Sequence, residues 1–375
     1  MGENKISKVY FTDFRARPGY NLLQKLEKLV KKAGIENIDF ENKYTAIKIH
    51  FGEPGNLAYL RPNYAKVIVD LVKKLGGKPF LTDCNTLYVG GRKNALDHLD
   101  AAYLNGFSPF STGCHVIIAD GLKGTDEAYI EINQEYVKTA KIGRAISDAD
   151  VIISLNHFKG HEGTGFGGAI KNIGMGCGSR AGKMEMHSSG KPGVINEKCR
   201  RCKQCIKVCA HGAISYDDEG KAHIDHTKCV GCGRCIGICN FDAIKSPNDE
   251  AADILNKKMT EYALAVVKNK PQFHISLICD VSPNCDCHAE NDAPIVPNIG
   301  MLASFDMVAL DKACADLVNK QEAFQNSQLG EHIRKNVEGH DNFHINHPDT
   351  NWESQIEHGV KIGLGNEDYE LIEIQ

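Results

Sequence analysis

Two cysteine runs of identical spacing constrain this chain more than any other feature. Cys199, Cys202, Cys205 and Cys209 follow C-x2-C-x2-C-x3-C. Cys229, Cys232, Cys235 and Cys239 repeat the run, each 30 residues after its counterpart. The repeat reaches beyond sulfur: Lys198 matches Lys228, Ile206 matches Ile236, Ala213 matches Ala243 and Ile214 matches Ile244. It is an internal duplication of one short unit. The two-residue gaps wrap a tight loop around three corners of a small inorganic object, and the fourth thiolate arrives from elsewhere. A structural zinc module is the alternative, but zinc takes two C-x2-C pairs across a longer spacer and has no use for duplicated quartets. The spacing therefore predicts two [4Fe–4S] clusters.

Over about residues 190–247 the segment resembles a bacterial-type two-cluster ferredoxin. In such proteins the fourth cysteine of each run serves the other cluster. The resemblance assigns Cys199, Cys202, Cys205 and Cys239 to one cluster, and Cys229, Cys232, Cys235 and Cys209 to the other. Gly231, Gly233 and Gly237 would let backbone amides approach the sulfurs. One departure is visible. Ala210 and Asn240 stand where such runs have proline, which bears on reduction potential and not on ligation.

The rest of the composition agrees with a redox or metal role. The chain carries 15 cysteines, an odd number that disulfides alone cannot pair. The N-terminal MGENKISKVYF lacks an apolar signal core, and no apolar run approaches the roughly 20 residues that span a bilayer. A cytoplasmic location without a membrane span is expected, where cysteines favour metal or redox chemistry. The net charge of −4 argues against nucleic-acid backbone binding.

Outside the cysteine runs, strand and helix patterns alternate. Residues 8–14, 45–51, 79–83, 115–120 and 151–155 suit strands, with helical spacing at Leu22, Leu23, Leu26, Leu29 and Val30, at 67–72 and near 94–105. Residues 249–268 then read as a helix, 274–279 as a strand, and 360–374 as a small hairpin. The expectation is an α/β fold, a largely parallel sheet flanked by helices, with an inserted small α+β two-cluster ferredoxin-like domain. The boundaries are 1–189 and 248–375 for the discontinuous α/β domain and 190–247 for the insert.

Ligands of open α/β sheets sit beyond the carboxyl ends of the strands. Three rich segments follow predicted strands: His50–Asn56 with Glu53; Asp83 to Thr86, with Tyr88 and Arg92 nearby; and NHFKGHEGTGFGG from Asn156, followed by Lys171 and Asn172. In the third, His157, Lys159 and His161 alternate. They are the candidate catalytic residues, suited to proton transfer or to a small anionic substrate. The neighbouring glycines and a helix start near 169–173 would offer amides to an anion. The competing reading is a mobile glycine-rich loop with solvated bases. The segment matches neither a P-loop nor a dinucleotide fingerprint.

Taken together, IKIHFGEPGN, NHFKGHEGTGFGGAIKNIGMGC, the cysteine runs and PIVPNIGMLASFDMVALDKAC resemble the DUF362 family of iron–sulfur proteins over most of the chain. The resemblance implies the architecture and the clusters. It supplies no substrate.

A third cysteine group, Cys279, Cys285 and Cys287, directly follows a predicted strand, beside Asp280, Asp286, His288 and Asp292. Three thiolates could hold a third metal or cluster, with an open position or a distant ligand such as Cys177. Free core cysteines or a structural zinc knot are the competing readings. Cys84, Cys114 and Cys314 read as small buried hydrophobes. Asp306 reads as a helix N-cap. The five histidines from His332 to His358 are too irregularly spaced to specify a metal. The same-edge rule places the 279–287 turn beside His157, Lys159 and His161.

The leading functional expectation is an oxidoreductase that exchanges electrons with a redox partner protein or electron donor. An electron carrier or assembly partner without its own substrate is the second reading, and a thiolate-metal Lewis-acid enzyme with structural clusters the third. Protein isolated anaerobically is expected to contain two [4Fe–4S] clusters. Cys202→Ser should damage one and Cys232→Ser the other, read by iron and acid-labile sulfide analysis. Zinc without labile sulfide would contradict the assignment.

Overall fold

A computed structural model describes residues 6–374, except 88–89, 188–190, 210–211, 230–234, 236–238, 240, 242 and 246–251. Cys232, Tyr88 and the three glycines of the second cysteine run lie outside the described residues.

Strands β1 (Ser7–Asp13), β2 (Tyr44–Lys48), β3 (Lys78–Asp83) and β4 (Val116–Ile118) come first. The hairpin β5 (Glu127–Glu131) and β6 (Thr139–Gly143) leads to β7 (Val151–His157), and a short hairpin, β8 (Lys159–His161) and β9 (Gly165–Gly167), follows at once. The cysteine-run segment holds β10 (Gly193–Val194), β11 (Ile214–Tyr216), β12 (Ala222–Ile224) and β13 (Ile244–Lys245). Three more strands complete the chain: β14 (Gln272–Ile278), β15 (Gly300–Ser304) and β16 (Tyr369–Glu373).

Eight of these form one sheet in the order β16-β1-β15-β14-β7-β2-β3-β4. From β14 to β4 every neighbour pair is parallel, and β16 is parallel to β1. The one reversal is β15, antiparallel to both β1 and β14. β7 is buried along its whole length, as expected for a central strand covered on both faces, and its VIISL run is β-branched and apolar for that reason.

Hydrophobic residues cover both faces of the sheet. One cluster gathers Leu26, Ile47, Ile68, Ile153 and Ile275 under the helices Leu22–Lys32 and Pro62–Lys74. The other gathers Ile152, Ile170, Met259, Leu302 and Leu310 under the helices Ala169–Cys177, Ala252–Val267 and Met307–Asn319. Asp306 caps the last of these, accepting from the amides of Val308 and Ala309 as expected.

The C-terminus departs from the predicted hairpin. Residues Glu353–Lys361 are helical, and β16 joins the sheet edge beside β1, pairing Ser7 with Tyr369. Strand pairing across the full length of the chain leaves no local pattern to read.

In the cysteine-run segment, β10 pairs antiparallel with β13, so the segment leaves and returns side by side, while β11 and β12 form a hairpin between the runs. Its core includes Cys199, Cys205, Cys235, Cys239, Ile214, Ile224 and Ile244. Leu87 and Met184 from the α/β body belong to the same cluster. Among the described residues no helix is long and apolar enough to cross a membrane.

The helix Ala169–Cys177 approaches Ala252–Val267 through Gly174, where a Cβ would meet the Met259 carbonyl at 2.1 Å. Backbone cannot yield cheaply there. Gly174→Ala is expected to destabilise the protein by about 1–3 kcal/mol, the usual overpacking range, read as a lower urea midpoint. An unchanged midpoint would contradict the packing described.

Candidate functional site

The carboxyl ends of β2, β3, β7 and β14 point to the same edge of the sheet, since these strands are parallel. There a cavity of about 290 Å³ opens. Lys48, His50 and Glu53 come from β2 and its following loop, Asp83 from the end of β3, and Leu87 and Arg92 from the segment after it. His157, Lys159, His161 and Glu162 come from the end of β7 and the β8–β9 hairpin, and Lys171, Asn172, Lys183 and His187 from the two helices that follow. Cys285, Cys287 and His288 come from the turn after β14. The three rich segments and two of the three turn cysteines thus face one cavity.

Its floor is a network of buried charge. Lys48 Nζ lies 3.0 Å from Asp83 Oδ1 and donates to Asn172 Oδ1 at 2.7 Å. Arg92 Nε bonds Glu53 Oε2 at 2.7 Å, and its Nη1 meets His50 Nε2 at 3.0 Å. Burial, then the adjacent Arg92 charge, holds His50 well below the ordinary histidine pKa, so its ring is neutral. Buried charges persist only when paired, and each group here has its counterpart.

On the β7 side, His157 Nδ1 lies 2.8 Å from Asp286 Oδ2, and Lys159 Nζ lies 3.3 Å from the same oxygen. His157 Nε2 faces the Cys279 carbonyl at 2.7 Å. Both ring nitrogens face acceptors. A ring held from both sides ties the turn to β7. Burial alone would raise the Asp286 pKa, but His157 and Lys159 outweigh it and hold the carboxylate far below its usual range.

His161 is arranged differently. Its Nδ1 accepts from the Gly163 and Thr164 amides at 3.0 and 3.1 Å, so a ring proton can reside only on Nε2. His161 and Lys171 both hydrogen-bond Cys285, with Lys171 Nζ 3.2 Å from the sulfur. The Cys287 thiol also bonds Cys285. That bond, against burial and with the Lys171 charge, holds the Cys285 thiol well below the ordinary thiol range. Cys287 keeps the shared proton and is pushed well above it. Cys285 is buried, while Cys287 is exposed. Glu162 and His288 pair at 2.8 Å beside Cys287, and one ligating atom of each of the three lies within 4.8 Å of the others.

Two expectations need correction. Cys279 does not line the cavity. Its side chain packs in the cluster with Ile275 and Leu277, and burial raises its pKa to about 12. Cys177 is likewise buried outside the lining, with burial raising its pKa to about 12. A metal in this turn would have Cys285, Cys287, Glu162 and His288 to draw on, not three thiolates. The second correction concerns the glycine-rich amides. The amides of Ala169 and Ile170 at the helix start donate to the Asp311 carboxylate at 2.7 and 2.8 Å. A Cβ on Gly168 would meet that carboxylate at 2.3 Å, and one on Gly160 would meet the Pro283 carbonyl at 2.1 Å. These glycines permit close approach within the protein, and the helix end is already occupied by the Asp311 carboxyl group, whose pKa burial raises to about 7.

In the cysteine-run segment, Cys199, Cys202, Cys205 and Cys239 line one small cavity, three from the first run and one from the second. The amides of Ala222, Ala213 and Ala243 approach the sulfurs of Cys199, Cys209 and Cys239 at 3.5, 3.3 and 3.3 Å. Backbone donors of this kind suit sulfurs that carry charge. Cys209 and Cys229 pack against the shared hydrophobic cluster and Cys235 lies within it.

Lys48, Lys183 and His187 escaped the sequence reading. Lys48 had a signal: a charged residue inside an otherwise apolar buried strand.

The family model described as Domain of unknown function (DUF362) matches residues 45–316. No curated protein matches the chain. Among solved structures, the lactate racemase apoprotein from Thermoanaerobacterium thermosaccharolyticum aligns with a TM-score of 0.41 and 12% identity over 85% of this chain and 60% of that one. A protein from Thermotoga maritima aligns with a TM-score of 0.40 and 13% identity over 78% and 57%. The chain therefore spans under two thirds of either structure. It belongs to the DUF362 family.

The buried Asp286 pairs give a pH-dependent expectation. Asp286→Asn leaves His157 and Lys159 facing a neutral amide and should cost about 3–5 kcal/mol at pH 7, the range for breaking a buried pair. Because the folded-state pKa is depressed, this contribution is present above the ordinary carboxylate pKa of about 4 and fades as pH falls below it. Urea unfolding at pH 7 and pH 3.5 should show the gap between wild type and variant narrowing. A pH-independent gap would contradict the pairing.

Proposed function

We propose that this DUF362 protein is an iron–sulfur oxidoreductase that exchanges electrons between an external redox partner and a small anionic substrate held in the α/β cavity. Three cysteines of one run and the last cysteine of the other line a common cavity, which fits the crossed ligand set of a two-cluster ferredoxin. When bound, [4Fe–4S] clusters carry single electrons.

The observation that carries the reading is a shared wall. Leu87 lines the cavity and also belongs to the hydrophobic cluster that contains Cys199, Cys205 and Cys239. Met184, in that same hydrophobic cluster, sits on the helix whose Lys183 and His187 line the cavity. A carrier without a substrate has no use for a closed set of lysines, histidines and thiols against that wall.

Within the cavity the roles follow from bonding. Lys48, Arg92 and Lys159 are neutralised by Asp83, Glu53 and Asp286 and shape the walls. Lys171 and the Nε2 side of His161 converge on the Cys285 sulfur. They are groups available to hold an anion. Burial opposes the Lys171 charge, but the adjacent thiols outweigh it and raise its pKa. Lys171 thus supplies positive charge and the His161 Nε2–H a hydrogen bond.

A second reading also has an observation behind it. The Glu162, Cys287 and His288 group is compact enough to hold a metal, which would place Lewis-acid chemistry at the cavity.

The test uses anaerobically isolated holoprotein, reduced with dithionite and freed of excess. It is mixed with reducible small anions: nitrite, sulfite and α,β-unsaturated carboxylates. At least one should speed cluster reoxidation, followed by the return of visible absorbance, and Lys171→Met should slow it at least tenfold with iron content unchanged. Equal rates in wild type and variant for every anion would leave the carrier reading in its place.

A further inference from the structure

Four ligating side chains outside the cavity lining converge where the sequence showed only irregular histidines. His340, Asp341, His344 and Glu353 each offer one ligating atom within 4.8 Å of the others. Asp341 is fixed from two sides. Its Oδ1 caps the helix Asn342–Asn346 by accepting from the His344 amide at 2.8 Å, and its Oδ2 accepts from Trp352 Nε1 at 2.9 Å. Trp352 is itself buried, with its ring centroid 5.4 Å from that of Phe166 on β9.

This fixes the tautomer of His344. Its Nδ1 lies 3.0 Å from Asp341 Oδ1, an acceptor, so Nδ1 carries the hydrogen. In the neutral ring, Nε2 then presents a lone pair. It faces Glu353 Oε2 at 3.4 Å, and that oxygen is buried with no hydrogen-bond partner among the described residues. The other oxygen, Glu353 Oε1, lies 2.9 Å from His340 Nε2. One carboxylate therefore spans the Nε2 atoms of two imidazoles whose ring centroids are 3.8 Å apart. Facing acceptors are satisfied by a proton on the ring or by a metal cation between them.

We propose that His340, His344 and Glu353 bind a divalent transition ion of the Zn²⁺ or Co²⁺ class, with Asp341 orienting His344 from behind. Histidine ligands characteristically donate their second N–H to a carboxylate, which is the Asp341 arrangement. Two imidazoles and a carboxylate suit borderline ions, whereas Mg²⁺ and Ca²⁺ take oxygen donors and Cu(I) takes sulfur. The ion would fasten residues 340–353 behind the aromatic group of Phe158, Phe166, Phe343 and Trp352, and so brace the hairpin that carries Lys159 and His161.

The test uses the full chain with its iron centres, isolated anaerobically, stripped of loose metal with a mild chelator and titrated with Zn²⁺. Wild type should take up one more equivalent of zinc than His340→Ala or Glu353→Gln. His340 is exposed, so its replacement leaves packing intact, and thermal melting without zinc checks this. Cys287→Ser should retain that equivalent, which separates it from the Glu162, Cys287 and His288 group. Zinc-edge absorption of Cys287→Ser should show a nitrogen and oxygen shell without sulfur. Equal uptake in wild type and both variants, or a sulfur shell, would overturn the proposal and leave the four residues as ion pairs.

Discussion

An ammonium group inside a protein needs a counterpart, and at Lys171 that counterpart is sulfur. The Lys171 Nζ to Cys285 Sγ contact at 3.2 Å joins the helix after the β8–β9 hairpin to the turn after β14. The remaining cavity charges close in pairs around it: Lys48 with Asp83, Arg92 with Glu53, and Lys159 with Asp286. These pairs hold the walls in place, while Lys183 Nζ donates to the Gly176 and Gly178 carbonyls. Cys285, Cys287, Lys171 and His161 meet at one corner of the cavity. The position of this corner depends on the parallel run from β14 to β3, which sends four strand ends to one edge.

The second consequence concerns the cysteine-run segment. Its β10–β13 pairing closes it into a unit, yet its core is shared with Leu87 and Met184. Both residues lie in segments that also line the cavity. A tether alone would leave the unit free to swing. Shared burial of apolar side chains sets its placement against the cavity wall, at a cost in exposed surface for any departure.

Much of this was legible because spacing and period encode it. The duplicated C-x2-C-x2-C-x3-C run needed no structure to be read as a ligand set. The strand ends were legible from apolar runs followed by polar, glycine-rich segments. Period-two alternation could also have placed Cys279 correctly, since it shares a face with Ile275 and Leu277. Other features were beyond local pattern. Asp311 lies 142 residues from the Ala169 amide it accepts from, and in sequence it is one acid in an ordinary amphipathic helix. Strand β16 pairs with β1 from the opposite end of the chain. The meeting of His340 and His344 with Glu353 depends on how two short helices pack, which histidine spacing does not carry.

The central claim is that the crossed cysteine set holds iron beside the wall shared with the cavity. Iron-edge anomalous diffraction from anaerobically grown crystals tests it most directly. The account predicts two iron centres within residues 190–247, one bounded by the sulfurs of Cys199, Cys202, Cys205 and Cys239. Each run closing on its own four cysteines, or anomalous signal at the zinc edge with none from iron, would contradict it.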